Sequence, residues 1–284
     1  MNSRESAEPE LSEEPFGKIP RDRDALVRQV FDRVAVRYDL MNDLMSGGVH
    51  RLWKAAMINW LAPRPGMQFL DLAGGTGDIA FRIYNRLAAT TPATYAGRGS
   101  LLTVCDINAE MLAVGIQRWQ ARQSRPFRSG QFRSGPFTRK GLTPADNNSL
   151  LWVNGNAEML PFADSSVDAC TIAFGIRNVS DRQKALSEIY RVLTPGGRFL
   201  CLEFSTVQNA ALAQLYERFS DIVLPKLGDS VAGSRDSYQY LVDSIRQFPG
   251  PDDFAATISD AGFRQVRYRL LSGGIAAMHS GWRL

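Results

Sequence analysis

A chain of 284 residues, 44% hydrophobic and 22% charged, suits one larger-than-average soluble domain better than two. No apolar run reaches the ~20 residues needed to span a bilayer, and three scattered cysteines with two histidines write no metal cluster. The net charge of +4 is local in origin: seven basic residues and no acid lie between Arg118 and Lys140, leaving the remainder mildly acidic.

The first twenty residues hold Glu5, Glu8, Glu10, Glu13 and Glu14 and no apolar core, so neither a secretory signal nor an Arg-rich transit peptide is expected. They read as a disordered tail over 1–20, ahead of a single domain over 21–284. Helical patterns follow at Ala25–Val36 and Val49–Trp60. Next, Phe69, Leu70 and Leu72 form an apolar strand that runs into Ala73-Gly74-Gly75-Thr76-Gly77-Asp78, with Ile79, Phe81 and Ile83 continuing as a helix. A strand, a Gly-rich turn and a helix bring backbone close to a nucleotide-like ligand. The loop alone leaves two readings open. Asp71-x-Ala73-x-Gly75-x-Gly77 looks like the methyl-donor loop of class I methyltransferases, with Ala73 where a first glycine is commoner; Gly75-x-Gly77-x-x-Ala80 also satisfies the dinucleotide fingerprint.

The second strand, Leu101–Cys105, ends on Asp106, where an acid can accept hydrogen bonds from both ribose hydroxyls in either cofactor class. Asn108 suits the cap of the following helix. The stretch 118–148 is basic, carries Phe-Arg-Ser-Gly twice, and reads as a flexible insert. A tolerated loop, contact with anionic lipid and RNA binding all stay open for it, although no nucleic-acid fold accompanies it and no nucleic-acid partner is expected. A third strand, Leu151–Val153, precedes Asn156-Ala157, and Asn156 by itself also reads as a turn residue. A fourth strand runs from the Asp164–Ser166 turn to Phe174, and a helix at Arg182–Leu193 leads through Pro195-Gly196-Gly197 into a fifth strand. Helices at Leu212–Leu224 and Tyr238–Phe248 suggest a lid over 206–250. Strands at Phe263–Leu271 and Ile275–Trp282 then make a hairpin about Ser272-Gly273-Gly274. Cys105, Cys170 and Cys201 all fall in strands and read as core.

Five blocks, in order, resemble the ubiquinone/menaquinone biosynthesis C-methyltransferase family: Tyr38–Asp43, His50–Lys54, the Gly-rich loop, Phe174–Asn178 and Asp236–Leu241. The resemblance covers about Asp24 to Leu284, apart from the basic insert. It implies an α/β, Rossmann-like class I methyltransferase fold: a seven-stranded, mostly parallel sheet with an antiparallel C-terminal hairpin, N-terminal helices and a helical lid. It also implies S-adenosyl-L-methionine as cofactor, held by Asp71, Gly75, Thr76, Gly77, Asp106 and Ile107, with Asn156 and Ala157 at the adenine amino group. The implied reaction is C-methylation of a polyprenyl benzoquinol or naphthoquinol. Family members often carry serine where Ala173 stands, so one expected contact to the cofactor is missing here.

C-methylation of a quinol needs a site that accepts a proton or stabilises a phenolate. Arg177 and Asn178 follow the fourth strand, whose carboxyl end faces the crevice of an open α/β sheet, and Tyr38 lies in the N-terminal block; these three are the candidate catalytic residues. Arg177 would stabilise the phenolate or orient a water, and Asn178 would hold the quinol oxygen. In the structural alternatives Arg177 pairs with an acid such as Asp181, Asn178 caps the next helix and Tyr38 packs. His50 is a candidate base by residue type, but Arg51, Trp53 and Lys54 beside it read as a helix surface. The expected location is cytoplasmic, with peripheral contact at the inner face of the membrane, a homodimer and a quinone-biosynthesis complex left open. The competing functions are methylation of another small acceptor, an NAD-dependent oxidoreductase, and a non-enzymatic lipid- or RNA-binding module.

Overall fold

Apolar strands with no polar alternation need cover on both faces. The computed structural model, which describes residues 43, 46–91, 99–122, 148–205, 207 and 235–284, shows that cover. Seven strands form one sheet: β1 (Gln68–Leu72), β2 (Ser100–Asp106), β3 (Asn148–Asn154), β4 (Val167–Ala173), β5 (Leu193–Phe204), β6 (Arg264–Leu271) and β7 (Ala276–Trp282). Their order across the sheet is β3-β2-β1-β4-β5-β7-β6. The first five are parallel, and β7 runs antiparallel to both β5 and β6, so the C-terminal hairpin inserts its last strand beside β5.

Side chains alternate across this sheet and feed two cores. Phe69, Leu102, Leu200 and Leu202 face one side, under α1 (His50–Leu61), α2 (Asp78–Thr90) and α3 (Ala109–Arg122). Leu70, Leu72, Phe199 and the three cysteines face the other, under α4 (Arg182–Val192) and α6 (Pro251–Asp260). Between β5 and α6 lies α5 (Arg235–Arg246). The strand order reverses between β1 and β4, which opens a crevice at their carboxyl ends.

Several local expectations need adjustment. Asn108 does cap α3, its side-chain oxygen accepting from Met111 N at 2.9 Å. The helix then continues to Arg122, so Arg118 and Arg122 belong to α3 rather than to the insert. Arg118 donates to Thr76 Oγ1 at 2.9 Å, and Arg122 lies over the Phe81 ring. The Pro195-Gly196-Gly197 turn lies within β5, tied to the C-terminal strand by Gly196 N to Arg283 O and Arg283 N to Gly197 O. The hairpin link is a short 3-10 turn, Ser272–Gly274, and α6, started by Pro251 behind Gly250, went unread in the sequence. The tail, the Ala25–Val36 helix, Tyr38, the segment 123–147 and the Leu212–Leu224 helix lie outside the described residues.

Candidate active site

The loop after β1 has a shape that side chains would obstruct. Ala73, Gly75 and Gly77 all sit at positive φ, at 48, 51 and 81°. Glycine adopts that region without strain. A Cβ on Gly77 would also meet the Trp152 ring at 2.6 Å. Ala73 takes up the same backbone conformation despite its methyl, and this is why a glycine is the easier residue there. Across the crevice, a Cβ on Gly175 would lie 2.5 Å from the Ala73 Cβ, so the two turns interlock.

Asp71 anchors the loop from inside the sheet. Its carboxylate accepts from Ala80 N at 3.1 Å and from Thr171 Oγ1 at 3.0 Å, and burial raises its pKa to about 7. Asp106, half-buried at the end of β2, accepts from Gly75 N and Asn108 N, each at 2.8 Å. Desolvation raises its pKa to about 6 against these two contacts and a third from the Ile107 backbone, which favour the charged form. Each carboxylate oxygen keeps a second lone pair for a further donor.

Asp71, Gly75, Thr76, Asp106, Ile107, Asn156 and Ala157 line one cleft, of about 1050 Å³ including its open mouth, at the carboxyl ends of β1, β2 and β4. Gly77 shapes the loop from behind, as the residue that begins α2. Asn156 is a turn residue as well as a wall residue, since its Oδ1 accepts from Glu158 N at 2.9 Å. Ala173 also lines the cleft, in the position where a serine hydroxyl was expected. Asn178 lines the opposite wall. Its Oδ1 accepts from the Tyr240 hydroxyl of α5 at 3.3 Å, so it does not cap α4; Asp181 does, accepting from Lys184 N.

Arg177 corrects the reading made from sequence. Its side chain is fully buried and does not line the cleft among the described residues. The guanidinium lies 2.6 Å from Glu203 Oε1 and donates to Phe174 O at 2.7 Å. The carboxylate partner is thus Glu203 on β5, not Asp181. Arg177 here holds the turn from which Asn178 projects. Tyr38 lies outside the described residues.

One further wall residue, Lys54, went unrecognised, and Asp78 was read only as the end of the Gly-rich loop. Lys54 and Asp78 both line the cleft, joined by a 2.9 Å ion pair, and Lys54 is 4% exposed. The signal was present: His50, Trp53, Lys54, Met57, Ile58 and Leu61 recur at helical spacing and form the buried stripe of α1. Trp53 and Lys54 are therefore not a helix surface. His50 is buried too, with Nδ1 3.0 Å from Ser46 Oγ and 3.5 Å from Asp43, and it does not reach the cleft.

The ubiE/COQ5 methyltransferase family matches residues 20–128 and 137–283 of this chain. The chain belongs to that family. Its match is interrupted at 129–136, inside the basic insert, so those residues are additional to the family pattern. Proteins named "Ubiquinone/menaquinone biosynthesis C-methyltransferase UbiE" from Brucella canis and Brucella anthropi are 51% and 52% identical over 265 residues. Those residues are 93% of this chain and 87% and 89% of theirs. Among solved structures, a SAM-dependent methyltransferase from Thermotoga maritima superposes with a TM-score of 0.54 at 17% identity, covering 90% of this chain and 99% of that one. A methyltransferase of Haloferax volcanii, solved with its Trm112 activator, gives 0.53 at 17% identity over 89% and 97%. These likenesses carry the class I methyltransferase fold. The family's methyl donor is S-adenosylmethionine. The cleft suits that molecule: an acid for a ribose diol, glycines at positive φ where backbone approaches a ligand, and a small residue, Ala157, beside Asn156.

Proposed function

We propose that this chain transfers a methyl group from S-adenosylmethionine to a ring carbon of a polyprenyl quinol. The observation that carries this reading is 51% identity, over 93% of the chain, to proteins named for that chemistry. The cleft supports it, because one wall carries Asp106 and Asn156 for a nucleoside and the other carries Asn178 and the apolar residues Phe174 and Val179.

The cofactor supplies an electrophilic methyl on a sulfonium; the protein's task is alignment, exclusion of water and handling of one proton. In the transfer, a ring carbon ortho to a hydroxyl forms the new C–C bond as the methyl–sulfur bond breaks. The hydroxyl proton leaves before or during attack; the ring carbon's own proton leaves afterwards to restore the aromatic ring and the oxygen regains one, so that one proton is released in all. Asn178, which lines the cleft, is the residue assigned here to the oxygen. With its Oδ1 engaged by Tyr240, its Nδ2 hydrogens are directed to donate, which suits an oxygen gaining negative charge. Arg177 and Glu203 fix the turn that presents Asn178.

Calorimetry with adenosylhomocysteine and with NADH tests the cofactor class; binding of NADH without adenosylhomocysteine would overturn the assignment. Quinone extracts from a deletion strain carrying this gene test the acceptor. Restoration of the ring methyl in ubiquinone, menaquinone or both defines which quinol is used, and absence of any demethylated quinone in the deletion refutes the pathway.

A further inference from the structure

A lysine ammonium buried in a protein needs compensating charge, or it sheds its proton. The side chain of Lys54 is 5% exposed, and the one carboxylate it touches among the described residues is Asp78, with Oδ2 at 2.9 Å. That carboxylate is shared, since its other oxygen lies 3.1 Å from Arg82 Nε. Two cations therefore share one anion, and among the described residues that line the cleft Lys54 is the one cation. Arg82, 29% exposed, is served by solvent; Lys54 is not. Asp71 attracts the ammonium through space but does not contact it, its oxygens being turned to Ala80 N and Thr171 Oγ1. The Phe174 ring lies 5.9 Å from the ammonium and gives a weak attraction without accepting a hydrogen bond. Among the described residues, the two remaining N–H donors of Lys54 meet no oxygen.

The position of this charge in the cleft is defined by the sheet. Asp106 stands at the end of β2, and Phe174, beside Lys54, follows the end of β4, with the β1 loop between them. A nucleoside whose ribose is held at Asp106 and which crosses the Gly74–Gly77 turn ends beside α1. The methyl donor ends there in an amino acid, whose carboxylate carries one negative charge. We propose that Lys54 is the residue that receives the α-carboxylate of the methyl donor, with Asp78 and Arg82 setting its orientation. The inference rests on the S-adenosylmethionine reading above and extends it to α1, an element outside the usual strand-and-loop contacts of the sheet.

The test compares adenosylhomocysteine with 5′-methylthioadenosine, which keeps the nucleoside and thioether but lacks the amino acid. Wild type should bind adenosylhomocysteine more tightly. Lys54→Met should weaken adenosylhomocysteine by about 10- to 100-fold, the range expected for a hydrogen bond to a charged group, and leave methylthioadenosine within a factor of about three. Lys54→Arg should recover part of the loss. If Lys54→Met does not fold, Lys54→Gln, whose amide can still donate to Asp78, makes the same comparison. Equal losses for both ligands, or unchanged adenosylhomocysteine affinity with a reduced kcat, overturn the assignment; the second outcome moves Lys54 to the quinol oxygen. A wild type that binds neither ligand refutes the cofactor reading itself, a different failure.

Discussion

Replacing Arg177 by Met tests whether this residue acts on the acceptor or holds the turn beneath it. In the structure its guanidinium is fully buried, 2.6 Å from Glu203 Oε1 and 2.7 Å from Phe174 O, and its own N–H points to Glu203 Oε2 at 3.4 Å. Glu203, 1% exposed, then keeps two backbone donors among these contacts, the N–H of residue 177 and Phe204 N. Removing one member of a buried ion pair leaves the other uncompensated and costs about 3–5 kcal/mol. In a domain of this size that corresponds to a melting temperature roughly 6–20 °C lower. The double variant Arg177→Met/Glu203→Leu removes both charges and should recover a substantial part of the loss. Differential scanning calorimetry of the three proteins, each with and without adenosylhomocysteine, makes the comparison. A single variant that melts with wild type but has lost kcat would refute the reasoning and return Arg177 to the phenolate.

The pKa of Asp106, raised to about 6, gives a pH dependence with a definite sign. Hydroxyl donors need the ionised carboxylate, so adenosylhomocysteine affinity should be flat above pH 7 and fall below 6, by up to about tenfold per pH unit. Asp106→Asn should abolish that slope and weaken binding by about 1–3 kcal/mol, read by calorimetry across pH. Gly77→Ala forces a methyl against Trp152 at φ 81° and should destabilise by about 1–3 kcal/mol in urea denaturation. Asn178→Ala should lower kcat on a short-tailed quinol while leaving the adenosylhomocysteine Kd unchanged, and Tyr240→Phe should do the same to a smaller degree. Deleting 129–136, the stretch outside the family match, should leave kcat and Kd within about a factor of two, since the family pattern does not include it.

The sheet was legible because its signals are local and repeated: apolar strands, the glycines after β1, the acid closing β2, and the Pro-Gly-Gly of β5. A seven-stranded sheet with an antiparallel C-terminal pair followed from that pattern together with the family resemblance; the order of its strands did not. The wall of the cleft was legible where its residues come from strand ends. Partnership across the fold was harder to read. Nothing near Arg177 in sequence marks Glu203, 26 positions away, as its partner, so a nearby acid, Asp181, was the natural candidate. Lys54 was missed for another reason. Charge was allowed to outweigh spacing, although the helical stripe through Trp53 and Met57 already included it. α6 escaped because a helix of ten residues beginning at Pro251 gives few repeats from which to read a period.

The contact between Ala73 and Gly175 gives the chain an order in which it can vary. Gly175 has an ordinary negative φ, so its backbone would accept alanine; the obstacle is the Ala73 methyl, 2.5 Å from where the new Cβ would stand. Ala73, at φ 48°, would lose nothing in backbone strain by becoming glycine. Once that methyl is gone, the nearest remaining atom to a Cβ at 175 is Ile172 Cγ1 at 3.5 Å, an ordinary van der Waals distance. Substitution at 73 followed by 175 is therefore a passable route, whereas 175 followed by 73 begins with a clash. The two positions are epistatic, and the history of one turn constrains what the other can become.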